Sequence, residues 1–161
     1  MATLTWKDSR LAADDMAPWD TTVMLTGPRI PLSELVSDSL RWGDENEGGA
    51  RDLMIYCHGA AGYLQLCKEG VAAWNLGKLA PLKPYFDGVS IHACEVAKGP
   101  SGRAFCVKLA LTLYAPVTAA VGLQGNTGPQ TIFGWLDDRK YDGDYYIHNP
   151  SGARTGPLRS R

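Results

Sequence analysis

The run DLMIYC, Asp52 to Cys57, is apolar at nearly every position instead of at alternate ones. A strand with one face in water alternates, whereas a strand covered on both faces does not, so this run predicts an interior strand of a parallel sheet. Parallel neighbours need crossover connections, usually helical, and the flanking sequence supplies them. TTVMLTG, Thr21 to Gly27, is a β-branched run closed by a Gly-Pro turn. PLSELVSDSLRWG follows, with Ser33 placed as an N-cap, Leu35, Val36 and Leu40 on one helical face, and Gly43 as the stop. GYLQLC, Gly62 to Cys67, alternates as a short extra strand or hairpin arm, and KEGVAAWNLGKL reads as a weaker helix interrupted by Gly77 and ended by Pro81 and Pro84. GVSIHAC is the next strand, SGRAFCVKLALTLY a helix opened by Ser101 and ending before Pro116, and PVTAAVG a further strand.

This order predicts an α/β fold, with a mostly parallel sheet carrying helices on both faces. In the last forty residues QTIFGWLDD and DYYIHNPSG are strand-like runs, and the Asp-Gly of RKYDGD between them is a hairpin signal. They predict an antiparallel C-terminal edge. The first twenty residues lack a steady period and read as an arm, and ARTGPLRSR reads as a flexible basic tail. The expected organisation is therefore an arm over 1–20, one domain over 21–150 and a tail over 151–161. A chain of 161 residues has length for one core.

With 16 Lys+Arg against 17 Asp+Glu and no block of like charge, nucleic acid and anionic membrane are poor partners, and a protein, peptide or small molecule is expected. The N-terminus lacks the apolar core of a signal peptide and no run reaches the ~18 apolar residues of a membrane span, so a cytoplasmic protein is expected. Cys57, Cys67, Cys94 and Cys106 are not spaced as a disulfide framework, which makes free thiols the expectation.

Two predicted strand tips carry reactive groups. DLMIYC is followed at once by His58 and Gly59, and VSIHAC ends on Cys94. Ligand sites of open parallel sheets lie at the carboxyl ends of the strands. An imidazole there can take a thiol proton, and the sulfur can then attack a carbonyl. Gly59 brings a backbone N–H without an intruding Cβ, and the N–H of Cys94 is the natural second donor to an oxyanion.

At these residues the sequence resembles the caspase-like cysteine peptidases, in which one hydrophobic block precedes His-Gly and a second precedes Ala-Cys or a similar dipeptide. LMIYCHG and VSIHAC stand in that order here. The resemblance is closer to small bacterial caspase-like domains, matched by GYLQL after His-Gly, EVAKG after the cysteine and GRAFCVKLA behind it, and it spans roughly Asp52 to Gly122. It implies a caspase-like three-layer sandwich, with His58 as general base, Cys94 as nucleophile, and the amides of Gly59 and Cys94 as oxyanion hole. It implies no cofactor. Where caspases carry Gln two residues before the cysteine this chain has His92, and Glu95 and Val96 follow the nucleophile, so the caspase preference for Asp does not transfer. The His-to-Cys interval is also shorter than the ~50 residues typical of caspases.

Cys57 precedes His58, so alternation turns it to the opposite face and into the core, and Cys106 lies within an apolar helix. Cys67 is open between the two readings. His92, two residues from Cys94, lines the pocket or is a buried hydrogen-bonded imidazole, and Glu95 is a candidate substrate-binding residue. No Cys-x-x-Cys pair supports a metal site, no Gly-x-Ser-x-Gly elbow is present, and the Gly-rich GLQGNTGPQ lacks the Gly-Lys-Ser/Thr of a phosphate loop, which leaves it as a loop flanking the cleft. The leading expectation is a cysteine-type endopeptidase acting on a protein or peptide; the other is a caspase-fold binding or regulatory module without catalysis. DYYIHN is the expected edge, open to a second copy as a homodimer or covered by the basic tail.

Overall fold

The computed structural model describes residues 2–11, 21–48, 51–123 and 144–159. Seven strands form the main sheet: β1 (Ala2–Asp8), β2 (Thr22–Thr26), β3 (Arg51–Tyr56), β7 (Gly88–His92), β8 (Val117–Ala120), β9 (Asp144–His148) and β10 (Arg154–Arg159). Their order is β10-β9-β8-β7-β3-β1-β2. The strands from β2 to β8 are parallel, β9 is antiparallel to β8, and β10 is antiparallel to β9. A second, three-stranded sheet holds β4 (His58–Ala60), β5 (Tyr63–Gln65) and β6 (Val71–Ala72). Helix α1 covers Leu32–Glu45, a 3-10 helix Leu76–Leu82, and α2 Gly99–Leu113. The α/β class, the mostly parallel sheet and its antiparallel C-terminal side are as expected.

The parallel register aligns side chains into rows. Leu4, Leu53, Val89 and Val117 form one row, and Trp6, Ile55, Ile91 and Ala119 the next. All eight are buried, together with Leu35 and Trp42 of α1, Leu76 and Leu79 of the 3-10 helix, and Phe105 and Leu109 of α2. The described helical elements therefore share one face. Helices on both faces were expected, but the connections β2–β3, β3–β7 and β7–β8 all step the same way across the sheet, and right-handed crossovers in one direction fall on one side. The other face is more polar, with Thr5, Met54, Ser90 and Thr118 in one row.

Several local readings are corrected. Residues 2–8 of the expected arm are β1, which lies inside the sheet between β2 and β3. Leu4 and Trp6 point into the helical core, and the indole N–H of Trp6 donates to Ser39 Oγ at 2.9 Å. Helix α1 starts at Leu32 without a Ser33 cap and passes through Gly43. Gly43 is needed for packing, because a Cβ there would lie 2.1 Å from the Tyr85 ring. Likewise α2 begins at Gly99, after Lys98, and not at a Ser101 cap. The weaker helix resolves into β6 and a 3-10 helix containing Pro81, whose missing N–H favours a short, tight element. The flexible tail is instead β10 over Arg154–Arg159, so β9 is not the edge, and a homodimer cannot pair through DYYIHN without displacing β10. QTIFGWLDD, the Asp-Gly hairpin and most of GLQGNTGPQ lie outside the described residues.

The chain leaves β1 toward β2 and leaves β3 toward β7, so strand order reverses between β1 and β3. The crevice beyond the carboxyl ends of those two strands is where an open α/β sheet receives a ligand.

Candidate active site

Three strand tips meet there. Tyr56 pairs with His92, the last residue of β7, so Cys57-His58 and Ala93-Cys94 are equivalent steps beyond the final pair. Alternation carries Cys57 and Ala93 into the helical core, where they are 2% and 2% exposed. The chain then bends at His58 into the β4–β5 hairpin, whose turn uses Gly62 at φ 72°, a conformation open to glycine. Gly62 N–H donates to the Val96 carbonyl at 3.0 Å, fastening the hairpin to the segment after Cys94.

Gly59 is the point of closest approach. A Cβ at this position would lie 2.8 Å from the Cys94 carbonyl oxygen, 2.8 Å from Val96 Cγ2 and 2.9 Å from Ala93 Cβ. The backbone after His58 is thus in contact with the backbone of Cys94. In an antiparallel ladder closed at Ala60 and Tyr63, hydrogen-bonded and non-bonded pairs alternate, which turns the Gly59 N–H out of the hairpin.

Cys94 is half-buried. The segment behind it is tied to the end of β8: Glu95 N–H donates to Gly122 O at 2.8 Å and Ala97 N–H to Ala120 O at 2.9 Å. Glu95 has φ 56°, strained for a side-chain-bearing residue, and its carboxylate pairs with Lys98. The other three thiols are sealed. Burial raises the Cys57 thiol far above its ordinary value, Cys67 to about 11 and Cys106 to about 12. Cys67, left open by the sequence, contacts Thr26 Oγ1 at 3.0 Å in the interior. Cys94 is the only one of the four that solvent reaches.

His58 is exposed, and its Nε2 lies 3.3 Å from the carbonyl oxygen of Arg10. A carbonyl only accepts, so in this contact Nε2 bears the proton, and in the neutral tautomer that makes it Nδ1 carries the lone pair. Arg10 is held in turn by Asp8 at the end of β1. The carboxylate of Asp8, fully buried, accepts from Arg10 Nε at 2.6 Å and Nη2 at 2.7 Å, and from Cys67 N–H at 3.2 Å. Arg10 Nη2 also donates to Cys67 O at 2.8 Å. The hydrogen bond to Asp8 raises the guanidinium pKa above its ordinary value, against the opposing effect of burial. Sequence reasoning missed Asp8 and Arg10. The available signal was the alternation of LTWKD, which makes Asp8-Ser9-Arg10 a third strand tip.

His92 does not line an open cleft. It is 6% exposed, stacked on Tyr56 with ring centroids 4.5 Å apart, and burial lowers its pKa to about 4. Glu95, half-buried beside Cys94 and engaged by Lys98, borders the site. Among the described residues no group of three or more His, Cys, Asp or Glu is placed to hold a metal ion, and no helix is long and apolar enough to cross a membrane.

A family model described as a domain of unknown function, DUF4347, matches residues 14–131. The chain belongs to the DUF4347 family. His58, Gly59, His92, Cys94 and Glu95 all fall inside the DUF4347 match, while Asp8 and Arg10 precede it. Comparison with curated proteins and with solved structures gave no match.

Proposed function

We propose that this DUF4347 protein is a caspase-like cysteine endopeptidase acting through Cys94 and His58. The observation that carries the reading is the contact of Gly59 with the Cys94 carbonyl, which brings the His-Gly and Ala-Cys tips together. The half-exposed state of Cys94, against three sealed thiols, supports its choice as nucleophile, and the Arg10 carbonyl on Nε2 supports His58 as base.

In this reading His58 Nδ1 takes the Cys94 proton, and the sulfur forms a bond to the peptide carbonyl carbon. The backbone N–H groups of Gly59 and Cys94 receive the oxyanion. The tetrahedral adduct collapses with cleavage of the C–N bond, and the His58 imidazolium gives its proton to the departing amine. Water, deprotonated by His58, then hydrolyses the thioester and restores the thiol. The substrate is a protein or peptide, and the cytoplasm keeps the thiol reduced.

The test is labelling with a peptidyl vinyl sulfone, read by intact mass, with turnover of a peptide library measured in parallel. Wild type takes one label at Cys94, Cys94→Ala takes none, and His58→Ala is labelled roughly a hundredfold more slowly. Equal labelling of the Cys94→Ala protein sinks the reading. A folded, labelled wild type that turns over no peptide favours the silent binding module.

A further inference from the structure

Helix α2 is apolar on two sides. Phe105, Cys106, Leu109 and Leu113 face the core. Pro100, Ala104, Val107 and Leu111 recur at helical spacing along the other side, and Leu111 is 53% exposed. A helix packed on one face needs only one apolar stripe, so the second is in excess of what the fold uses.

That outer stripe lines a cleft of about 860 Å³, together with Tyr146 of β9 and Arg154 of β10. Three cations line it, Arg103, Lys108 and Arg154, and no acidic side chain does among the described residues. Among the described residues none of the three takes part in an ion pair. The Arg154 guanidinium lies 3.7 Å from the Tyr146 ring centroid, and Lys108 Nζ donates to Ala73 O at 2.6 Å. Arg154 is thereby positioned within the cleft without being neutralised, whereas the Lys108 ammonium is tied to a carbonyl outside the lining residues.

We propose that this cleft binds an acidic peptide segment of a partner protein, one in which carboxylates alternate with apolar side chains. Charge complementarity selects the sign, and the apolar wall selects against a hydrated polyphosphate chain. Length also fits. From Pro100 to Leu111 the stripe runs about 17 Å at the rise of an α-helix, which an extended segment of about five residues spans. Planar guanidinium groups at Arg103 and Arg154 suit carboxylate recognition, and an extended segment places alternate side chains on the two sides it meets. The proposal does not depend on peptidase activity.

The experiment uses the full chain carrying Cys94→Ala, so that cleavage plays no part. The probe is a fluorescein-labelled peptide of about seven residues alternating Glu and Leu, compared by anisotropy with its Lys and Leu counterpart. Saturable binding of the acidic peptide alone is expected. It should weaken roughly tenfold between about 0.05 and about 0.3 M salt, and roughly tenfold in Arg103→Glu or Arg154→Glu. Both sites are exposed, and an unchanged far-UV circular dichroism spectrum verifies the fold. Equal binding of the two peptides, no saturable binding, or indifference to both charge reversals overturns the proposal. So does self-association in sedimentation velocity that the same reversals abolish, because the occupant is then a second copy.

Discussion

The α-carbon of Gly59 faces the Cys94 carbonyl so closely that a methyl group there would stand 2.8 Å from its oxygen. This is a contact between two backbones, and neither can yield by changing a rotamer. Gly59→Ala is therefore expected to destabilise the protein by about 1–3 kcal/mol and to slow labelling of Cys94 more than global stability accounts for. Urea unfolding and vinyl sulfone labelling of the same sample separate the two effects. A variant matching wild type in both would show that the two tips do not need to touch.

Asp8 anchors the residue that holds His58. Replacing a buried member of an ion pair leaves its partner's charge uncompensated, and Arg10 is 26% exposed, which lessens the penalty. Asp8→Asn should lose about 2 kcal/mol in urea unfolding. It should also shift the tautomer balance of His58, read as the ring nitrogen chemical shifts by NMR. Unchanged His58 shifts would separate the ion pair from the imidazole.

Thiol titration gives a count. With four cysteines and three sealed by burial, native protein should consume one equivalent of Ellman's reagent rapidly and all four only after denaturation. Cys94→Ala should abolish the rapid phase. Persistence of that phase would place the reactive thiol elsewhere.

Acid should destabilise the fold through its buried imidazoles. His92 has its folded pKa depressed from 6.5 to about 4, and burial lowers that of His148 as well. Below pH 6.5 the unfolded chain binds protons that the folded chain refuses, so the stabilisation is complete above pH 6.5 and is lost as pH falls toward 4. At about pH 5, His92 alone accounts for a loss of about 2 kcal/mol relative to neutral pH. Thermal melts of wild type and His92→Phe at the two pH values check it: the substitution keeps a ring against Tyr56 and should shrink the pH-dependent drop. An equal drop in both proteins would assign the acid sensitivity to other groups.

The interior strands were legible because burial on two faces writes itself as a continuous apolar run, as in DLMIYC. The same rule hid β1. Its second face carries Thr3 and Thr5, which are buried but polar, so residues 2–8 show alternation and no apolar block. β10 was hidden because ARTGPLR has the Gly and Pro of a loop, and an edge strand accommodates both since one side of its backbone makes no ladder. At the site, His58, Gly59 and Cys94 were readable as residues at strand ends, and the core placement of Cys57 and Cys106 followed from period alone. The burial of His92 was one of two readings left open, and its stacking on Tyr56 was not readable, since it depends on the register between β3 and β7. Nor was the Arg10 carbonyl, because a backbone atom has no letter in the sequence.

The interior position of β1 also bears on how the molecule assembles. Leu4 finds Thr22 close by along the chain but must find Leu53 far beyond it, and among the described pairings of the main sheet the β1–β3 seam closes the longest loop. Long loops close slowly, because their entropy is spent before contacts reward it. Arg10 and His58 stand on opposite sides of that seam, so the imidazole gains its carbonyl partner only when the two parts of the sheet join. Reactivity at this crevice would then report late assembly, and a partly folded chain would carry an unoriented histidine.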